Sequence, residues 1–310
     1  MSMQENYQAV EKFLNDNNIE YYTNHPFNKF SSFSVGGNID LFIIVKEIKS
    51  FLELVSFLYN KNIDYFVIRD TNRVLVSDEG YRGIMISLEG EFENFEFLDD
   101  GILNANASAI LERLSHEARI RNLSGLEFVA LVNSRVGSAV YEKLESFGMS
   151  LMNIVKNVTI IDKRTAAVKE ISRDEYMSIS EEDKNYIVIL SAVFKLEHDN
   201  PESIDNRIDW YRYIRGSVAP MEANIGPVFE DFEDVKAYEM VERVGGLDMK
   251  YGSMIWHKRF PNYIINNCMH EEENTQLCKA SDVINLIEDT RKKIEQHYDI
   301  NPKINITLLV

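Results

Sequence analysis

The stretch GLEFVALVNSRVGSAVYEKLESFG, residues 125–148, decides the fold of this chain. It opens and closes on glycine and keeps one glycine inside, Gly137, next to Ser138. The turn within it is built from larger side chains: Leu131, Asn133, Ser134 and Arg135. Outward from this stretch, helix and strand signals alternate. On its N-terminal side, Ala107 to Ile120 is predicted helical, with Ile110, Leu111, Leu114 and Ala118 along one side. Earlier, Ile48, Phe51, Leu52, Val55 and Leu58 recur at helical spacing. The short apolar runs Ile63 to Ile68 and Ile84 to Leu88 read as buried strands. On the C-terminal side, Val158 to Ile161 and Tyr186 to Leu196 read as strands. Glu197 to Asn206, EHDNPESIDN, is polar, contains a proline, and reads as a domain boundary. A later helix carries the stripe Val283, Leu286, Ile287 and Ile294, with Ser281 placed as its N-cap. The tail alternates Ile304, Ile306 and Leu308 against Asn305 and Thr307, as a strand does. There is no internal repeat. Strands and helices mixed without a regular βαβ rhythm predict an α+β fold.

The 310 residues suffice for two or three domains with a substantial core. A hydrophobic share of 45% and a charged share of 27% fit an ordinary globular protein. The net charge of -17 disfavours nucleic acid and anionic membranes as partners, so an anionic nucleotide needs a local basic cluster. No apolar run approaches the roughly 20 residues needed to cross a bilayer, so no membrane insertion is expected. Two cysteines and no secretory leader predict a cytoplasmic protein with reduced thiols. Cys268, His270 and Cys278, with Glu271 to Glu273 between them, match no usual zinc spacing and read as a surface loop, with no metal. Trp210, Tyr211 and Tyr213 beside Arg212 and Arg215 read as an amphipathic helix rather than a base-stacking platform. Gly36-Gly37 reads as a turn.

Several stretches together carry a family resemblance. NKFSSFSVGGNID (28–40) resembles a segment in which a Phe/Thr stretch leads to V-G-G. IRDTNRVLVSDEGYRGIMISL (68–88) aligns with G-G-G-S-N-L-L-V…G-x-x-G-x-V-I. Residues 125–148 align without a gap with G-L-E-F-x-x-G-I-P-G-S-x-G-G-A-V-x-M-N-A-G-A-Y-G. IGPVFEDFED (225–234) sits at G-S-x-F-x-N-P, and WHKRFPNYIINN (256–267) resembles K-H-x-N-F-x-V-N. In this order and spacing the chain resembles the MurB flavoenzyme family, UDP-N-acetylenolpyruvoylglucosamine reductase or UDP-N-acetylmuramate dehydrogenase, in its shorter type and strongly diverged. The resemblance implies a bipartite FAD-binding region of the vanillyl-alcohol-oxidase/PCMH type and a MurB C-terminal-type substrate domain. Mapped on this chain, residues 1–85 with a returning strand at 300–310 form the first FAD-binding-type subdomain. Residues 86–197 form the second, and 198–299 the substrate domain. The implied chemistry passes hydride from NADPH through FAD to an enolpyruvyl ether. A serine supplies a proton, while an arginine and a glutamate stabilise the intermediate.

The residues that the resemblance would assign to these tasks have changed. A pyrophosphate turn needs glycines, because the backbone must approach closely and turn its N–H groups on the phosphates. Here the first turn is Arg69-Asp70-Thr71-Asn72-Arg73. In the second, Leu131, Asn133, Ser134 and Arg135 replace Gly, Pro, Gly and Ser, and Ser138 replaces a glycine beside the retained Gly137. Glu142-Lys143-Leu144-Glu145 stands for Met-Asn-Ala-Gly. The serine position falls on Pro227, the arginine on Met177 or Ser178 with Arg173 off register, and the glutamate on Asn305. Losing one such donor costs about 100- to 1,000-fold in rate. The expectation is a pseudoenzyme in which FAD is lost and NADPH unused, with a binding or regulatory role linked to peptidoglycan precursor synthesis. Its partner would be a nucleotide sugar or a protein. An active reductase with diverged residues and a nucleotide-sugar-binding sensor stand as alternatives. Arg69 and Arg73 either substitute for the phosphate cradle or are solvated and paired with Asp70 and Asp78.

Overall fold

The computed structural model describes residues 3–31, 33–217, 219–266 and 278–309, with only the backbone of Met3, Gln4 and Asn72. The chain forms two compact units. One comprises Met1–Tyr22, Leu41–Arg69 and Ile84–Arg215; the other comprises Thr23–Asp40, Asp70–Gly83 and Gly216–Val310. This division does not follow the linear one expected from the sequence, because the chain crosses between units several times.

In the first unit, the helix Ile48–Lys61 buries Phe51, Leu54, Val55 and Leu58, as its spacing dictates, and ends at Asn62 in the left-handed region, φ 52°. Its apolar face joins Ile43, Val45, Ile84, Ile86 and Phe92 in one core. The strands order as Glu20–Pro26, Asn38–Val45, Tyr81–Leu88 and Phe66–Val67, the last pair parallel. The predicted strand Ile63 to Ile68 is thus shortened to two residues. A second, antiparallel sheet runs Ala167–Ser172, Val155–Asp162, Ile187–Lys195, Ile102–Asn106, Phe95–Phe97. Leu103 and Ala105 point into its core while Asn104 is exposed, the period-two alternation of a half-buried strand. Each large apolar side chain buried here contributes about 2 kcal/mol.

Two sequence expectations change in this unit. The helix over 107–120 starts only at Leu111. Ala107 N–H donates to the Leu190 carbonyl and Ile110 pairs with Arg135 in a β-bridge, so the backbone there is committed to sheet-like bonding and Ile110 is exposed. The polar stretch read as a boundary instead opens a helix, Pro201–Arg215. Proline needs no hydrogen-bond acceptor at a first helical position, and the Asn200 side chain accepts from Glu202 N–H at 2.9 Å. That helix buries Ile204 and Ile208, and the passage into the second unit comes after Arg215. Trp210 and Tyr213 lie on its exposed side, stacked at 6.1 Å, while Tyr211 packs on Phe147.

The second unit holds an antiparallel sheet in the order Asn224–Ile225, Ile264–Asn266, Met254–Trp256, Lys250–Tyr251. The helix Ala280–Tyr298 packs Val283, Leu286, Ile287 and Ile294 into its core with Trp256 and Phe229. Trp256 Nε1 donates to Thr290 Oγ1 at 3.0 Å, both side chains fully buried. Ser281 is not the N-cap. Asp78 takes that role from a remote segment, accepting from Ala280 N–H at 2.8 Å and Ser281 N–H at 2.9 Å. Thr307–Leu309 pairs in parallel with Val74–Val76. Gly36 has φ +112° and Gly37 leaves no room for a Cβ against the Asp78 carbonyl, so this pair is a tight turn.

Candidate functional site

The first unit contains a cavity of about 30 Å³. Its apolar side includes Val67, Leu88, Ile187 and Ile189; its polar side is Arg69, Ser108, Arg135, Gly137 and Ser138. Four residues singled out from the sequence therefore meet here: Arg69, Arg135, Gly137 and Ser138. The last two belong to the short helix Val136–Tyr141, whose start is fixed by Val136 N–H to the Ala109 carbonyl and Gly137 N–H to the Ala107 carbonyl. A Cβ on Gly137 would stand 3.1 Å from Ala107 Cβ, so a side chain there would push the two segments apart. Tyr176 braces the same helix, donating from its hydroxyl to the Val140 carbonyl at 3.2 Å. Burial, and then the neighbouring Tyr141, raise the Tyr176 phenol above its ordinary value and keep it a donor.

The cations of this region are arranged around aromatic faces and carbonyls. The Arg135 guanidinium donates to the Leu88 carbonyl at 3.2 Å and to Ser108 Oγ at 3.4 Å. Ser108 in turn donates to the Leu88 carbonyl at 2.6 Å. Arg69 lies 3.4 Å over the Tyr141 ring, and Lys184 Nζ lies 4.6 Å from the same ring. Arg69 is thus half-exposed, with its guanidinium against the Tyr141 face. Glu142 and Glu145 are not among the residues lining the cavity.

Other positions lie elsewhere. Met177 ends the helix Arg173–Met177 and is exposed, and Ser178 caps it, donating to the Asp174 and Glu175 carbonyls. Arg173 pairs with Asp174 at 2.8 Å. Neither Ser178 nor Ser134 lines the cavity. Asp70, Thr71, Asn72 and Arg73 belong to the second unit, where Thr71–Arg73 is a 3-10 turn leading into the strand Val74–Val76. Cys268 and His270 lie outside the described residues; Cys278 contacts Asn266 Oδ1 at 3.4 Å. Among the described residues no group of three His, Cys, Asp or Glu side chains could hold a metal ion. No described helix is long and apolar enough to cross a membrane.

The second unit brings Pro227 and Asn305 together. Asn305 N–H donates to the Val228 carbonyl at 2.8 Å, and Phe229 pairs with Ile304 in a β-bridge. Asn262 holds the same loop, its amide accepting from Phe229 N–H at 2.8 Å and donating to the Phe229 carbonyl at 2.9 Å. The sequence pattern identified Pro227 and Asn305 but not their clamp, although Asn262 stands in the 256–267 stretch. Chemically, Pro227 offers neither hydroxyl nor N–H, and a neutral asparagine can hydrogen-bond without exchanging a proton at ordinary pH.

No family model matches the chain. It is 26% identical to a UDP-N-acetylenolpyruvoylglucosamine reductase of Lachnoclostridium phytofermentans over 92% of each chain. It is also 26% identical to a protein of that name from Syntrophomonas wolfei subsp. wolfei, over 98% of this chain and 99% of the relative. Its fold matches that of the MurB structure from Thermus caldophilus with a TM-score of 0.73, covering 94% of this chain and 99% of that one at 18% identity. Over nearly the whole of both chains, this protein is thus similar in sequence to UDP-N-acetylenolpyruvoylglucosamine reductases and shares the fold of the MurB structure.

Proposed function

We propose that this chain is a MurB-type scaffold that no longer performs the reductase reaction and serves in binding or regulation near peptidoglycan precursor synthesis. The observation that carries the reading is the pairing of the segment after Pro227 with the segment of Asn305, through Asn305 N–H on the Val228 carbonyl and the Phe229–Ile304 bridge. The two positions assigned to the proton-donating serine and the glutamate lie on these paired segments, and neither residue can transfer a proton. The cavity of the first unit supports the same reading. With Arg135 on its wall and room for about two water-sized groups, it does not fit a flavin pyrophosphate. A nucleotide sugar or a protein is the partner this reading expects.

One observation favours a second reading, an FAD-dependent UDP-N-acetylmuramate dehydrogenase that uses other residues: the curated relatives carry the reductase name. A visible spectrum of the purified protein and an NADPH-oxidation assay with UDP-N-acetylglucosamine enolpyruvate separate the two. The first reading expects a colourless protein and consumption at the no-enzyme level even in excess FAD. Near-equimolar flavin absorbance, or substrate-dependent NADPH consumption, establishes the second.

A further inference from the structure

We propose that the outer edge of the strand Phe95–Phe97 receives a basic, extended segment of a protein partner, which adds to the sheet as one more strand. Phe95–Phe97 is a terminal strand of the five-stranded antiparallel sheet of the first unit. Its register pairs Phe95 with Ala105, Glu96 with Asn104 and Phe97 with Leu103. Asn106 N–H donates to the Asn94 carbonyl at 2.9 Å, and Leu98 N–H donates to the Ile102 carbonyl at 2.8 Å. Hydrogen-bonded pairs recur at every second residue of an antiparallel ladder, so Glu96 and Asn104 form the bonded pair between these two. The N–H and C=O groups of Phe95 and Phe97 therefore point away from the sheet, and no described residue beyond it bonds to them. Such a row is a template for a further strand.

The side chains select the kind of strand. Phe95 and Phe97 pack half-buried against the core, edge to face with centroids 6.1 Å apart. An added strand lays alternate apolar side chains beside these rings. Glu96 points to the opposite face and is exposed. Glu93, Glu96, Asp99 and Asp100 are all exposed, and none makes an ion pair with a described residue. Exposed acids elsewhere in the unit have a cation, as Asp205 has Arg119 and Asp183 has Arg164. A second copy of the chain on this edge would bring the same carboxylates together, and like charges oppose pairing. A strand with lysine or arginine on the Glu96 face meets attraction instead. Main-chain hydrogen bonds then supply the binding, and the alternation of apolar and basic residues supplies the choice of partner.

The proposal goes beyond the reading above and holds whether or not the protein is yellow. The probe is a short peptide of alternating lysine and valine, titrated into the ¹⁵N-labelled full-length protein at low salt. One control carries glutamate in place of lysine. Another alternates lysine and proline, which keeps the charge but cannot pair as a strand. The readouts are the chemical shifts and hydrogen exchange of the Phe95 and Phe97 amides. The lysine–valine peptide is expected to move both resonances saturably. At about ten times the midpoint concentration it should slow their exchange about ten-fold, while the Leu98 amide, already bonded within the sheet, keeps its rate. Glu96→Lys alters an exposed side chain and should weaken the midpoint about five-fold. No response, equal binding of the lysine–proline peptide, shifts without protection, or an unchanged midpoint in Glu96→Lys overturns the proposal. So does protection of Phe95 and Phe97 that grows with protein concentration in the absence of peptide, which would give this edge to a second copy.

Discussion

Replacing Asp78 by alanine tests how the second unit holds its longest helix. Asp78 accepts the N–H groups of Ala280 and Ser281 at the start of Ala280–Tyr298. Losing an N-cap side chain costs about 0.5–2 kcal/mol. Here the Ala280 residue is fully buried, so its N–H is left without water as well as without Asp78, which moves the expected loss to about 2 kcal/mol. Asp78 itself is exposed, so its charge adds little beyond the two hydrogen bonds. At about 2–4 °C per kcal/mol, the melting temperature should fall by about 4–8 °C at pH 7. Asp78→Asn keeps an acceptor and should lose about half as much. The pH dependence follows from the carboxyl's environment. Burial pushes its pKa up, but hydrogen bonds from the Ser281 side chain, Ser281 N–H and Ala280 N–H outweigh this and hold it below the ordinary value. Stability from such a group is present above its unfolded value of about 3.9 and is lost as pH falls through the lower folded value. The gap between the natural protein and Asp78→Ala, followed by calorimetry from pH 7 downward, should therefore narrow below about pH 4. A melting temperature within about 1 °C of the natural protein at pH 7 would refute the reasoning, since it would mean that the helix start is satisfied without Asp78.

Three further outcomes are expected. Pro227→Ser should leave NADPH consumption at the no-enzyme level, because Asn305 beside it still cannot exchange a proton; turnover restored by that single change would show that the remaining machinery is intact. Trp256→Phe removes the donor to Thr290 Oγ1 in a fully buried pair and should cost about 1–3 kcal/mol in urea unfolding; an unchanged midpoint counts against that bond's contribution. Phe229→Ala removes a buried ring stacked 5.8 Å from Trp256 and should cost about 3–5 kcal/mol, with a loss under about 1 kcal/mol indicating that the loop between Pro227 and Asn305 is not anchored there.

Much of the fold was legible where one face of an element meets one core. Phe51, Val55 and Leu58, and Val283, Leu286, Ile287 and Ile294, are buried as their spacing required. Features decided by distant partners were not legible. Ser281 has the right chemistry for an N-cap, but Asp78 reaches the helix start from far away in sequence. Ile110 fits a helical stripe, yet its backbone pairs with Arg135. Pro201 punctuates a polar run, and only Asn200 accepting from Glu202 N–H shows that it starts a helix. In the candidate site, the substitutions at 69, 135 and 138 could be read directly from the sequence. That Arg69 would lie on Tyr141, and that Arg135 would bond the Leu88 carbonyl, depends on contacts that no local pattern encodes.

The interleaving of the two units also constrains how the protein can be made. Neither unit is a continuous piece of chain. During synthesis on a ribosome, the segments 23–40 and 70–83 emerge early but must wait for Gly216 onward before their own core can close. The strand Val74–Val76 waits longest, because its partner is Thr307–Leu309. Such distant closures slow folding and leave apolar side chains such as Phe33, Val35 and Leu75 uncovered in the nascent chain. A fragment ending near Arg215 would keep those side chains without their covering partners, so truncation at the unit border should yield an aggregating product rather than an isolated domain.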